Sequence, residues 1–174
     1  MLKDELTHQQ ARDTRDMIYD RTIRLCVKNT GTEILTVDNH ADGVYLYLRL
    51  AKEDKRKAQE VLKLLKINGG NKSGIGIADV DNLGFVHADQ FWRHHSFGNV
   101  KTRKFSEIWL DESDELLRNL RNRNPLLKGK CGRCRFQDIC AGNFRVRAEA
   151  VYGDVWQEDP ACYLSEEEIT NRNE

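Results

Sequence analysis

No uncharged apolar run in the sequence approaches the roughly 20 residues needed to span a bilayer. The polar start MLKDELTHQQ also lacks the apolar core of a secretory signal. Neither a membrane helix nor a signal peptide is expected, and the chain reads as soluble and cytoplasmic. Charge of neither sign is in excess, since 28 Lys plus Arg balance 28 Asp plus Glu. Without a net basic field, nucleic acid and anionic membranes are not expected partners. Apolar residues are few, 39% of 174, which points to a small core under much solvated helix surface. Internal repeats and low-complexity tracts are absent. The one glycine cluster, NGGNKSG, matches neither the P-loop nor the dinucleotide-binding spacing.

What is present reads as an α/β chain of the α+β kind. Between Glu5 and Lys28, the residues Ala11, Thr14, Ile18, Thr22 and Leu25 recur at steps of three and four, with Arg12, Arg15, Asp16 and Asp20 off that stripe. This is the pattern of an amphipathic helix. Cys26, near its end, reads as a small buried hydrophobe. EILTV (33–37) reads as a strand, followed by the polar loop DNHADG and the apolar run VYLYLRL. A second helix is expected from Lys52 to Lys66, with Ala58, Val61, Leu62 and Leu65 inward and KEDKRK as a solvated face. NGGNKSG then reads as a flexible connector at a boundary. IGIADV, the turn DNLG and FVHADQFW read as a β-hairpin. A helix from about Ser113 to Arg123 turns Leu116, Leu117 and Leu120 inward and is closed by Pro125. Ser165 and Glu168 form a capping box for a last short helix. Trp92, Trp109 and Trp156 are core or interface candidates.

Cysteine carries the chemistry. Only five occur, and the stretch CGRCRFQDIC holds three of them. Reduced thiols are the rule in the cytoplasm, so close-set cysteines there point to metal or redox work rather than disulfides. The pattern is Cys131-x2-Cys134-x5-Cys140-x21-Cys162. Gly132 relaxes the backbone so that the first two sulfurs can face one centre. Four thiolates complete either a tetrahedral zinc site or an iron–sulfur cluster. Zinc ribbons repeat a short cysteine pair twice. Here the second half is two separate ligands, a spread that a cluster with iron corners farther apart accommodates better.

GNVKTRKFSEIW, CGRCRFQDICAGNFRVRAEAVYGD and DPACYL together resemble the SPASM-type auxiliary-cluster domain of radical SAM enzymes. With EILTVDNHADGVYLYL, the resemblance extends over nearly the whole chain and is strongest to the radical SAM enzymes of haem d1 and haem biosynthesis. It implies a partition into residues 1–72, the last helix and strand of a partial barrel, and residues 73–174, the auxiliary domain. It further implies one auxiliary [4Fe-4S] cluster on Cys131, Cys134, Cys140 and Cys162. The positions where a second auxiliary cluster would take ligands carry Phe144 and Asp89, and the stretch from Asn68 to Gly74 has no cysteine. The C-x3-C-x2-C run of the catalytic cluster is also missing. By the resemblance, S-adenosyl-L-methionine and a second [4Fe-4S] cluster belong to a full-length enzyme, with this chain as its C-terminal portion and a missing N-terminal portion as partner.

The implied activity of that enzyme is removal of propionate side chains from an iron tetrapyrrole of the 12,18-didecarboxysiroheme type. A 5′-deoxyadenosyl radical would begin the reaction, and ferredoxin or flavodoxin would donate electrons. Oxidative decarboxylation of iron-coproporphyrin to haem is the sister reading. A peptide-maturing radical SAM protein and a zinc-stabilised interaction module are the rivals. Beyond the cysteines, His40, His87, His94 and His95 are candidates to ligate a porphyrin iron or pass protons. Arg145 and Arg147 could hold the acid side chains of a tetrapyrrole through bidentate forks.

Overall fold

The structure, a computed structural model, describes residues 6–171. Helix α1 (His8–Val27) is opened by Thr7, whose hydroxyl accepts the Gln10 N–H at 3.2 Å while the Gln10 side chain accepts the Thr7 N–H at 2.9 Å. The expected start at Glu5 lies outside the described residues. No residue of α1 is fully buried, and the expected roles of its two faces are partly exchanged. Arg12 forks onto Glu168 with two bonds of 2.8 Å, Arg15 meets Asp42 at 2.7 Å, and Asp16 and Asp20 each hold Arg49 at 2.6 Å. The side chains read as solvent-facing dock the helix through ion pairs, alongside Ala11 of the expected stripe and Tyr19, which pack against the core. Cys26 is exposed, which corrects its reading as a core residue, and no residue of the helix it sits on is fully buried.

After α1 the chain runs without regular structure to residue 40. The expected strand at 33–37 is not formed, because no second strand lies beside it to share hydrogen bonds; Leu35 and Val37 are left exposed. VYLYLRL, grouped with the strand signals, is helical and belongs to α2 (Ala41–Glu53). Its buried residues Ala41, Val44, Tyr47 and Leu48 recur at helical spacing, and this outweighs the β-branched and aromatic content. Asp54 breaks the register and caps α3 (Lys55–Asn68) by accepting the Lys57 N–H at 3.1 Å. Ala58, Val61, Leu62 and Leu65 face the core as expected.

NGGNKSG is a packed joint rather than a flexible connector. Gly70 lies so close to Cys140 that a Cβ would sit 2.4 Å from its backbone, and Asn71 and Ser73 are buried. Beyond it, β1 (Asp79–Val80), β2 (Phe85–His87) and β3 (Gly98–Asn99) form an antiparallel sheet in that order, with Asp79 opposite His87 and Phe85 opposite Asn99. The hairpin turn is held by the Asp81 carboxylate, which accepts the Leu83 and Phe85 N–H groups. Helices α4 (Phe105–Trp109) and α5 (Glu115–Arg121) follow, the latter burying Leu117 and Leu120. A 3-10 turn at Asn124–Leu126 carries Pro125. Short helices α6 (Gly129–Gly132) and α7 (Gln137–Cys140), then α8 (Arg145–Tyr152) and α9 (Glu166–Thr170), complete the described chain, and Ser165 and Glu168 form the expected capping box.

Helix and a small antiparallel sheet coexist as the α+β reading requires. One core gathers α2 and α3 with Phe136, Ile139, Tyr163, Leu164 and Ile169; a second surrounds Trp92, Ala88 and Leu120, with Trp156 at its margin. Trp109 instead stacks on Phe105 near the surface.

Candidate metal centre

Three short turns deliver the cysteines. Helix α6 carries Cys131, and Gly132 is required beside it, since a Cβ there would lie 2.4 Å from the Leu127 carbonyl oxygen. Cys134 follows in the turn to α7, which ends on Cys140. Ala141, Gly142 and Asn143 then take three successive left-handed conformations, with φ of 53°, 71° and 60°. Such a run turns the chain sharply after Cys140. Cys162 arrives from the loop before α9. All four cysteines line a single cavity, floored by Val44, Phe136, Leu164 and Ile169. Among the described residues no trio of His, Cys, Asp or Glu is set at the spacing of a single ion.

The surroundings are polar only where sulfur or backbone requires it. Phe136 N–H points at Cys134 Sγ (3.4 Å), and Asp159 N–H at Cys131 Sγ (3.5 Å). Gln137 donates to the carbonyls of Cys131 and Gly132, and Lys130 donates to the Cys162 carbonyl at 3.2 Å. Burial raises the thiol of Cys134, pushes that of Cys162 up to about 11, and drives that of Cys140 well above the usual range. For Cys140 the next causes are Cys162, Cys131 and Cys134 themselves. Three thiols held back from ionising, in a pocket with an apolar floor, suit a polycationic centre that would supply the missing positive charge.

Three of the candidate substrate residues lie around this site. Arg145 is 1% exposed, and its guanidinium faces Cys131 and backbone carbonyls rather than solvent. Arg147 grips Asp159 with bonds of 3.1 and 2.7 Å and lies over the Phe144 ring. His40 stacks on the other side of that neighbourhood, 5.7 Å from Phe144, and its imidazole makes no hydrogen bond among the described residues. Burial, then Arg147 and Arg123, lower its pKa, which favours the neutral ring. Its backbone N–H donates to Asn143, tying this loop to the cysteine turn.

The remaining candidate histidines make their contacts with residues other than the cysteines. His87 is buried, donating Nδ1–H to the His95 carbonyl at 2.7 Å; His94 meets Glu149 at 2.7 Å and His95 meets Asp114 at 3.0 Å. Sequence reasoning missed Asp159. Its buried carboxylate accepts from Phe144 N–H, Ala161 N–H and Arg147, and so fixes the approach to Cys162. The available signal was its place three residues before that cysteine, in DPACYL. Also missed was the buried set of Asn71, Ser73 and Arg123, in which Arg123 donates to the Asn71 side chain at 2.8 Å. Asp89, noted in the sequence only as a non-cysteine, takes the Ser73 hydroxyl.

Over 172 residues the chain is 57% identical to the Fe-coproporphyrin III synthase of Methanosarcina barkeri, covering 97% of this chain and 43% of that protein. It is 41% identical over 165 residues to the pre-heme d1 synthase of Dinoroseobacter shibae, 93% of this chain and 40% of that one. A stretch of 65 residues, 37% of this chain, is 46% identical to the AdoMet-dependent heme synthase of M. barkeri, of which it covers 18%. The chain thus spans less than half the length of each relative. No protein-family model matches it, and no solved structure does.

Proposed function

We propose, on the premise that this chain belongs to the radical SAM family of tetrapyrrole synthases and corresponds to the C-terminal part of its members, that it is the auxiliary-cluster portion of an iron-tetrapyrrole synthase. The observation that carries this reading is the gathering of Cys131, Cys134, Cys140 and Cys162 around one cavity, in a chain 57% identical to such a synthase along almost its whole length. The spread of the ligands along the sequence, a short pair followed by two separate cysteines, supports a [4Fe-4S] cluster over a single zinc ion. In this reading residues 73–174 are the SPASM-type domain and residues 1–72 the end of the barrel that precedes it.

Identity favours Fe-coproporphyrin III as the product of the whole enzyme. The second reading, the route to haem d1 by loss of propionates, is supported by the 41% identity over 93% of the chain. The sequence holds no C-x3-C-x2-C run, so SAM cleavage and the catalytic cluster are assigned to another segment, and a ferredoxin or flavodoxin is the proposed electron source. When bound, the auxiliary cluster supplies a one-electron centre. The chain's own contribution is to hold four thiolates, exclude water with Val44, Phe136, Leu164 and Ile169, and place His40, Phe144 and Arg147 beside the site.

Anaerobic reconstitution tests the reading. About four iron and four sulfide per chain are expected, with the absorption of a cubane cluster and no release of 5′-deoxyadenosine from SAM under reductant. Stoichiometric zinc with exclusion of iron would defeat the cluster assignment. Release of 5′-deoxyadenosine would defeat the auxiliary role.

A further inference from the structure

We infer that Arg145 is the buried countercharge of the four-cysteine site and raises the reduction potential of the cluster held there, with Lys130 as a weaker, more exposed second cation. The inference rests on the cluster reading above. Arg145 is 1% exposed, among the most deeply buried side chains of the molecule. Its Nη1 donates to the carbonyls of Val155 and Gln157, and its Nη2 to the Gly142 carbonyl and, at 3.8 Å, to Cys131 Sγ. Nε finds no acceptor. Unlike Arg147, which is neutralised by Asp159, Arg145 forms no ion pair with any carboxylate among the described residues.

An arginine is permanently cationic, and burying such a charge without a counterion is expensive. Carbonyl dipoles orient the guanidinium but carry no net charge to oppose it. Arg123, also buried, is pushed down to about 10 by burial first and then by Arg145. Asp154 feels the charge of Arg145 but lies beyond ion-pair distance, so the anion in direct contact with the guanidinium is the site that Nη2 touches. A [4Fe-4S] core on four thiolates is anionic in its oxidised form and one unit more negative after accepting an electron from the donor. A fixed buried cation stabilises the reduced form more, so it raises the potential. Lys130 lines the same cavity from a half-buried position, its ammonium donating to the Cys162 carbonyl at 3.2 Å.

The test is an EPR-monitored redox titration with dithionite, on reconstituted wild type, Arg145→Gln, Arg145→Lys and Lys130→Gln, with iron and sulfide measured in each. Arg145→Gln should make reduction about tenfold less favourable, a shift of about 59 mV to lower potential for one electron. Arg145→Lys should retain most of the wild-type potential. Lys130→Gln should shift the same way by less, and high salt should shrink that shift because the side chain is partly solvated. Full iron with an unchanged potential in Arg145→Gln overturns the inference. If that variant does not fold, Lys130→Gln decides, and an unchanged potential there also overturns it. Wild type that holds no iron and sulfide defeats the cluster reading itself, a result separate from either.

Discussion

Cys140 and Cys26 share a side chain and differ in everything around it. Cys140 ends α7, closes the cavity and is pressed from behind by Gly70, whereas Cys26 sits exposed on the last turn of α1. Cys140→Ala in the loaded protein should cost more than about 2 kcal/mol and lose iron, since binding energy at such a site is also folding energy. Cys26→Ala should stay within about 0.5 kcal/mol, as surface changes do. Anaerobic thermal unfolding with iron analysis compares the two; equal small losses with iron retained would remove Cys140 from the ligand set. The metal-free protein has its own pH signature. The Cys162 thiol is raised by burial from 9.0 to about 11 in the folded state, so folding favours the neutral thiol. That contribution is complete below pH 9 and is lost as pH rises towards 11. The melting temperature of the apo-protein should fall through this window, and Cys162→Ser should flatten the fall. In the loaded protein protons compete with iron for thiolate, so acid should release the metal.

At the scale of elements, α1 shows what period and propensity can and cannot tell. Its helical stripe is visible in the sequence, yet no residue on it is fully buried, and the helix is moored by charges whose partners lie up to 156 residues away. Pairings of that range leave no local trace. EILTV carries strand propensity without a strand to pair with, and VYLYLRL carries it while obeying a helical spacing that the core enforces; in both, tertiary context decides. The hairpin, α5 and the α9 capping box were legible because turn chemistry, leucine spacing and caps are local. The mooring of α1 can be tested directly. Burial works to raise the Glu168 carboxyl, but the Arg12 fork and the Ser165 contacts outweigh it and leave the pKa lowered. The pair's stabilisation is therefore present above the ordinary glutamate range and lost as pH falls through the folded value. Glu168→Gln should cost about 1 kcal/mol, the upper end for a partly exposed pair, because the fork is bidentate. Amide exchange in α1 should quicken selectively; unchanged protection there would mean that the other ion pairs hold the helix alone.

For the molecule as a whole, spacing picked out the four candidate ligands, which the structure brings to one cavity, while the scaffold that aims them was not legible. Asp159, Asn71 and Arg123 act through buried hydrogen bonds between segments far apart in the sequence. The joint at Gly70 is the clearest case. It lies between helices α2 and α3 and the cysteine turns, with φ of 72° and no room for a Cβ against the Cys140 backbone, and the next residue's N–H donates to the Cys140 carbonyl at 3.3 Å. What reads as a loose boundary is the surface on which the helical unit and the metal site are fitted together. Gly70→Ala should therefore act at a distance, displacing Cys140 without touching a ligand atom. Left-handed strain and the close approach together should cost on the order of 2–4 kcal/mol. Gly31→Ala is the matched control: its φ of 67° imposes similar strain, but open space surrounds it. Iron retention and cluster stability in air should drop in Gly70→Ala and hold in Gly31→Ala. If both variants lose stability equally and both keep their iron, backbone strain alone accounts for Gly70, and the helices and the cluster loop are not coupled through it.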